Sequence, residues 1–177
     1  MRVILGADHA ATELKETVKA VLQDEGYAVE DVSPSVPLAG DDYPDYAVAV
    51  AEKVAADPTG TRGILACDTG IGMAIAANKI RGASAALVVN EFGARRSREH
   101  NNANILVLGS ELLSAAEAAR IARVFLATAF SGEERHVRRI GKIQTRESHS
   151  AQSAPRDRQA PHQGASGAGR GTGNRQQ

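Results

Sequence analysis

Short aliphatic runs alternate along the chain with longer segments whose apolar residues recur at a helical period. The aliphatic runs are typical of buried parallel strands, and they comprise residues 3–7, 27–32, 63–66, 85–89 and 105–108. Strands that alternate with helices in this way form a parallel sheet covered by helices on both faces. The pattern therefore predicts one doubly wound α/β domain with a five-stranded sheet.

Helices are predicted for the segments between and after these runs. They comprise residues 12–25, a segment opened by Pro44, a segment that begins at Gly70 or Ile71, and residues 91–101, 114–129 and 133 to about 146. Gly26 stands where a C-terminal cap belongs, and the spacing of Ser114 and Glu117 predicts a capping box.

The last thirty residues differ in composition from the rest. From Ser148 onward the chain has no aromatic residue and no aliphatic residue larger than Ala, so this segment cannot bury enough surface to offset the entropy of ordering. We predict a domain over 1–147 and a disordered tail over 148–177. The tail holds four Arg and one Asp, a net charge of +3, while the whole chain is neutral. Nucleic acid is therefore an unexpected partner, although weak contact of the Arg/Gly tail with RNA stays an alternative.

Other features of the composition exclude several classes of protein. A single cysteine excludes an internal disulfide and a cysteine-based structural zinc site, which fits a reducing compartment. No apolar run approaches the roughly 20 residues that cross a bilayer, and the apolar run at the N-terminus is short for a signal peptide. We expect a cytoplasmic location and no membrane partner.

The segment 67–72, Cys-Asp-Thr-Gly-Ile-Gly, follows a predicted strand and leads into a helix, where exposed amides favour anions. A thiol at such a helix start can have a pKa lowered toward neutrality, which would make Cys67 reactive. A buried structural cysteine is an equally strong interpretation. Met73 in place of Arg excludes a phosphatase loop, and Ile75 breaks the dinucleotide pattern.

Four other polar segments are candidates for chemistry. Asp8 and His9 follow the first strand, although Asp8 or Thr12 capping a helix is the simpler interpretation. The acids at 41, 42 and 45 are expected to be solvated carboxylates at a helix start.

The other two candidates lie further along the chain. His100 stands in an Asn-rich turn and can move protons near neutral pH, although such a turn can also serve its own backbone. Arg135 and Arg139 share a helix face and suit phosphate, or they form a solvated basic helix end.

Taken together, these segments resemble the ribose-5-phosphate isomerase B and galactose-6-phosphate isomerase family over residues 2 to about 146. The matching motifs are Gly6-Ala7-Asp8-His9, Asp42-Tyr43-Pro44, the run 67–79 and Ser97-Arg98-Glu99-His100-Asn101. The resemblance implies a Rossmann-like homodimer with active sites shared between subunits, and leaves open whether dimers pair into tetramers. It also implies interconversion of aldose and ketose phosphates through an enediolate, with no metal and no cofactor.

The resemblance further implies a role for each matching residue. Cys67 would be the base that moves a proton between C1 and C2, and His100 would open the sugar ring. Thr69 and the amides from Gly70 to Gly72 would hold the developing oxyanion. The residues that would bind the substrate are Asp8 and Tyr43 near the sugar, Asn101 through a hydrogen bond, and His9, Arg135 and Arg139 on the phosphate. Asp68, which does not match the family, is also expected to contact the substrate because it stands beside Cys67.

Two residues depart from the family pattern. Ribose-phosphate members usually have Gly where Asp68 stands, and often have a phosphate-binding Arg where Glu111 stands. A carboxylate beside Cys67 should raise the pKa of the thiol and oppose a nearby anion. These departures favour either a substrate that differs from ribose 5-phosphate, such as a tetrose or hexose phosphate, or a non-catalytic protein that binds sugar phosphates on the same fold.

Overall fold

The computed structural model describes residues 1–34 and 40–152. Five parallel strands form one sheet in the order β2-β1-β3-β5-β4. Their bounds are β1 Arg2–Ala7, β2 Ala28–Asp31, β3 Thr61–Cys67, β4 Ala85–Leu87 and β5 Ile105–Gly109. The predicted doubly wound α/β domain is confirmed.

In the part of the chain that the structure describes, four helices connect the strands, and two further helices follow the last strand. Their bounds are α1 Thr12–Asp24, α2 Tyr43–Ala56, α3 Ile71–Ala77, α4 Glu91–Asn101, α5 Ala115–Ala127 and α6 Glu134–Gln152, with a 3-10 turn over His9–Ala11 before α1. Most predicted ends are confirmed within two residues. The largest difference is α6, which continues beyond its predicted end.

Two predicted caps are present. Gly26 has a φ of 83°, a left-handed conformation that glycine adopts without steric cost at the end of α1. At the start of α5 the Ser114 hydroxyl accepts from the Glu117 amide, and the Glu117 carboxylate accepts from the Ser114 amide. Both amides would otherwise lack an intrahelical partner.

The sheet separates two apolar cores. Val3 and Leu5 of β1 face one core with Leu14 and Val18 of α1 and Phe125 of α5. Residues of the opposite parity face the other core, where α2 and α3 cover the sheet; its members include Ile4, Leu65, Val50, Val54 and Met73. Because side chains alternate along a strand, a strand buried on both faces appears in the sequence as a continuous apolar run.

The direction of the strands gives the sheet two distinct edges. β1 and β3 are neighbours at the centre of the sheet, with Ala7 opposite Ala66. β2 lies beside β1 on one side of this pair, and β5 and then β4 lie beyond β3 on the other side. Loops at the carboxyl ends of this central pair lie at the switch point of the sheet, where α/β proteins bind ligands. We call this the carboxyl edge and the opposite one the amino edge.

Helix α6 passes residue 147, the predicted limit of the domain. It continues to Gln152, while residues 153–177 lie outside the described residues, so the disordered tail and its RNA contact stay predictions there. Val137 and Ile143 of α6 are more than half exposed. In the described ranges, no helix is long and apolar enough to cross a membrane.

Gly109 at the end of β5 tests how tightly the carboxyl edge is packed. An added Cβ would lie 2.7 Å from the backbone oxygen of Thr69, which cannot rotate away. We expect Gly109→Ala to lower the free energy of unfolding by about 1–3 kcal/mol, measured by urea denaturation. The matched control is Gly141→Ala in α6, where nothing lies within 4 Å and the change should raise stability by about 0.5–1 kcal/mol. Equal effects of the two substitutions would contradict this account.

Candidate active site

The switch point brings Cys67 and Asp8 to adjacent strand ends. Cys67 ends β3 and is 6% exposed, and Asp8 directly follows β1. The Gly70 amide donates a hydrogen bond to the Cys67 sulfur at 3.2 Å. Gly70 can turn its amide this way because it adopts a φ of 76°. The sulfur therefore lies within a tight loop of backbone amides at the start of α3.

Close contacts fix this loop on both sides. A Cβ at Gly72 would lie 2.5 Å from the Tyr43 ring, so the ring packs directly on the first turn of α3. The Ser110 and Glu111 amides donate to the carbonyl oxygens of Cys67 and Asp68 at 3.0 and 2.9 Å. The loop after β3 is thus held between the start of α2 and the loop after β5.

The sequence supports two opposing expectations for the pKa of Cys67, a lowered pKa at a helix start and a raised pKa beside a carboxylate, and the pKa is raised. Burial raises the pKa of the thiol, and the Asp8 carboxylate adds to this rise. The Gly70, Met73 and Thr69 amides lower the pKa of Cys67, but burial outweighs them. Of the two interpretations that the sequence left open, a reactive thiol at a helix start and a buried cysteine, the structure agrees with burial, which costs the thiolate more than the amides at the helix start return.

Asp8 caps a helical turn and also lies close enough to Cys67 to affect it electrostatically. Its carboxylate accepts from the Ala10 amide at 3.2 Å and caps the 3-10 turn, as the simpler interpretation of the sequence predicted. Burial raises the pKa of Asp8, and the Asp41 and Asp68 carboxylates raise it further. Three carboxylates, those of Asp8, Asp41 and Asp68, therefore lie close enough together to interact at this edge of the sheet.

His9 makes its main contacts with Asp41. Its Nδ1 lies 2.5 Å from an Asp41 oxygen, and its backbone amide donates to the same oxygen at 3.2 Å. The Tyr46 hydroxyl donates to the other oxygen of Asp41 at 2.8 Å. The prediction of a solvated Asp41 was wrong, since its side chain is only 7% exposed. Sequence reasoning missed this residue because its partners lie 32 and 5 positions away.

A second group of predicted residues lies at the amino edge. Helix α4 starts beside the end of β4 and returns to the start of β5, so His100 and Asn101 lie near its far end. The Ser131 amide donates to the Glu99 carbonyl, which brings the start of α6 to the same place. Arg135 and Arg139 are exposed on the first turns of α6.

His136 is a neighbour of His100 that sequence reasoning did not select. The two imidazole rings lie 4.2 Å apart between centroids, and His136 is 2% exposed. Burial lowers the pKa of His136, and His100 lowers it further. The Arg96 guanidinium donates to Nε2 of His100 at 3.0 Å, so this nitrogen carries no proton. The one feature of the sequence that could have indicated His136 is its position directly after Arg135 in the basic helix.

The predicted site residues thus divide into two groups within one chain. The carboxyl-edge half comprises Asp8, His9, Tyr43, Cys67, Asp68, Thr69, Gly70 and Gly72, and the amino-edge half comprises His100, Asn101, Arg135 and Arg139. Helix α4 has 11 residues and runs between the edges, so its two ends are roughly 16 Å apart. Within one chain, the fold therefore separates the two halves by about the length of α4.

The two departures from the family pattern are neighbours. A cavity of about 510 Å³ opens beside the Cys67 loop and is lined by side chains that include Glu13, Asp68, Ser110, Glu111 and Ser114. Lys15 lies nearby on α1, but its ammonium group binds Glu16 and Asp31 at 3.0 Å each. The carboxyl-edge half is therefore acidic, and His9 is the side chain through which it can offer positive charge to a ligand.

Comparison with known proteins places this arrangement in a family. The model of the ribose/galactose isomerase family matches residues 3–143. The ribose-5-phosphate isomerase B of Mycobacterium tuberculosis is 42% identical over 140 residues, which cover 79% of this chain and 86% of that protein.

Solved structures agree with this match. Ribose-5-phosphate isomerase B from Mycoplasma genitalium, with bound ribulose-5-phosphate, is 41% identical with a TM-score of 0.80, over 83% of this chain and 96% of that one. The Thermotoga maritima ribose 5-phosphate isomerase is 46% identical with a TM-score of 0.76, over 81% and 97% of the two chains. The chain therefore belongs to the ribose/galactose isomerase family. The type of enzyme that this family defines is a sugar-phosphate isomerase.

The raised pKa of Cys67 can be measured directly, because the chain has one cysteine. We expect the thiolate absorbance near 240 nm, taken as the difference from Cys67→Ala because the three tyrosines ionise in the same pH range, to titrate above the pH at which the same thiol titrates in the urea-unfolded chain. Asp8→Asn should move the folded midpoint down, since Asp8 disfavours the thiolate. Asp24→Asn, an exposed change at the end of α1, should leave it unchanged. A folded midpoint at or below the unfolded one would contradict the geometry described for this site.

Proposed function

We propose that this protein interconverts ribose 5-phosphate and ribulose 5-phosphate through an enediolate, with Cys67 as the base and without a metal ion. The observation that carries the proposal is the position of Cys67 at the switch point, with its sulfur against the Gly70 amide and beside Asp8. The solved relative with bound ribulose-5-phosphate supports the choice of substrate.

The proton transfer follows from the chemistry of the loop. The Cys67 thiolate removes the proton from C2 of the aldose, which gives the enediolate, and returns it to C1. The proton of the C2 hydroxyl passes to the C1 oxygen, so the carbonyl moves from C1 to C2 and the thiolate is regenerated. Negative charge develops on the carbonyl oxygen during this step, and the amides at the start of α3 can stabilise it. The Thr69 hydroxyl, which now accepts from the Ile71 amide at 3.4 Å, is close enough to join them.

The active site is shared between two copies in this proposal. The carboxyl-edge half is acidic and holds a base, but it lacks the guanidinium groups that suit a phosphate dianion. The amino-edge half has Arg135 and Arg139, which are both exposed. The phosphate is bound by His9 together with Arg135 and Arg139 of the partner subunit, and ring opening is assigned to His100 of the partner subunit.

An exposed apolar patch beside the carboxyl-edge half supports a homodimer. Its members are Ile71 and Ile75 of α3 with Leu87, Val89 and Phe92 around the end of β4, and each is at least 38% exposed. Exposed large apolar side chains on neighbouring elements are typical of interaction sites. A second copy would bury this patch and bring its own amino-edge half toward Cys67.

Asp68 and Glu111 decide which sugar phosphate fits best. Carboxylates accept hydrogen bonds from sugar hydroxyls and repel phosphate. In our proposal they face the hydroxyl-bearing end of the substrate and keep the phosphate on the side of His9. The cavity that they line leaves room for a hexose phosphate, so tetrose and hexose phosphates are the competitors.

A panel of tetrose, pentose and hexose phosphates tests the reaction and its substrate. We expect the highest kcat/KM with ribose 5-phosphate, and Cys67→Ala should lower kcat by about 10²- to 10⁴-fold while circular dichroism stays unchanged. Full activity of Cys67→Ala would exclude Cys67 as the base. Binding of these phosphates in a calorimeter without turnover would instead favour the non-catalytic alternative.

Mixing two inactive variants tests whether sites are shared. Cys67→Ala damages the carboxyl-edge half and His100→Ala the amino-edge half. After the two are unfolded and refolded together, random pairing should restore about a quarter of the wild-type sites, because half of the dimers would carry one intact composite site. The same mixing with Cys67→Ala and Asp8→Ala, which alter the same half, should restore none. No recovery in the first mixture would contradict a shared site.

A further inference from the structure

Asp41 links three elements around His9. Its carboxylate accepts from the His9 amide and ring on one oxygen and from the Tyr46 hydroxyl on the other, at 3.2, 2.5 and 2.8 Å. With a 7% exposed side chain, it is far less solvated than Asp42 or Asp45 beside it, which are exposed. Three hydrogen bonds on a shielded carboxylate indicate that its position and charge are both fixed.

The contact determines the protonation state of His9. Nδ1 must carry a proton to bind a carboxylate, which leaves Nε2 to face a ligand. Within residues 1–34 and 40–152, Nε2 of His9 makes no hydrogen bond. The hydrogen bond to Asp41 raises the pKa of His9, so the imidazolium persists above the pH at which a free histidine loses its charge.

Other charged groups around His9 act in the same direction or are already paired. The Asp8 and Asp68 carboxylates also raise the pKa of His9. Lys15 and Glu16 line the same small cavity, but they bind each other and Lys15 binds Asp31. Burial and Asp41 raise the pKa of Tyr46 to about 12, so the phenol stays neutral and donates to Asp41 throughout the working range.

We propose that Asp41 is a positioning residue that holds His9 as an imidazolium, with Nε2–H free to donate to the phosphate of the substrate. The assignment rests on the proposed function, in which His9 grips that phosphate. This role explains how the carboxyl-edge half, which is acidic and has Glu111 in its cavity, still attracts an anion. Asp41 keeps one positive charge there, on His9. Asp41 itself does not contact the substrate.

Asp41→Asn removes the negative charge of this side chain and keeps its shape, since the amide oxygen can still accept a hydrogen bond from Nδ1 of His9. We expect the pKa of His9, followed by an NMR titration of the imidazole protons, to be lower in Asp41→Asn than in the wild type. At pH 8 the KM of the variant for ribose 5-phosphate should rise about tenfold, with kcat changed less than about twofold. At pH 5.5 the KM difference should shrink, because His9 is protonated in both proteins. Tyr46→Phe should give a smaller shift in the same direction.

Asp45→Asn is the matched control, since it removes an exposed carboxylate from the same helix turn without touching His9. An unchanged His9 pKa in Asp41→Asn would overturn the proposal, as would a KM effect that is equal at both pH values. Calorimetry with inorganic phosphate and the NMR titration need no turnover. They therefore test Asp41 even if the protein isomerises none of the sugars, an outcome that would contradict the proposed function instead.

Discussion

Parallel strands impose the constraint on which this site depends. All five strands point the same way, so every connecting helix must return from the carboxyl edge to the amino edge. Residues that directly follow a strand therefore lie at the carboxyl edge of the sheet. Residues at the C-terminal ends of the connecting helices lie at the amino edge. Cys67 follows β3 and His100 lies near the end of α4, so within one chain the fold keeps the proposed base and the proposed ring-opening residue apart. The proposed site needs two copies for this reason.

The two halves of the proposed site also differ in charge. Burial and the Asp8 carboxylate raise the cost of forming a thiolate at Cys67. A base that is hard to ionise is a strong base once ionised, which suits removal of a weakly acidic proton from carbon. The guanidinium groups that would favour the thiolate and the phosphate lie in the other half, so the proposed site reaches its full charge balance only when two copies meet.

Local signals in the sequence were sufficient for much of the fold. The aliphatic runs predicted all five strands, and Gly26 and the capping box at Ser114 predicted two helix ends, because each signal depends on neighbours within a few residues. The domain boundary at residue 147 stays a prediction, although the last helix ends later than the sequence predicted. A polar segment can continue a helix that has already formed, since elongation is easier than nucleation, and α6 extends to Gln152.

For the site, the sequence by itself determined which residues follow each strand and, through ordered motifs, the family to which the chain belongs. Only the tertiary structure decided that Cys67 is buried with a raised pKa and that Asp41 is shielded against His9 and Tyr46. It alone placed His136 against His100 and put these rings at the edge opposite Cys67. The physical reason is that residue type and periodicity are local properties, whereas desolvation and proximity depend on which distant segments pack together.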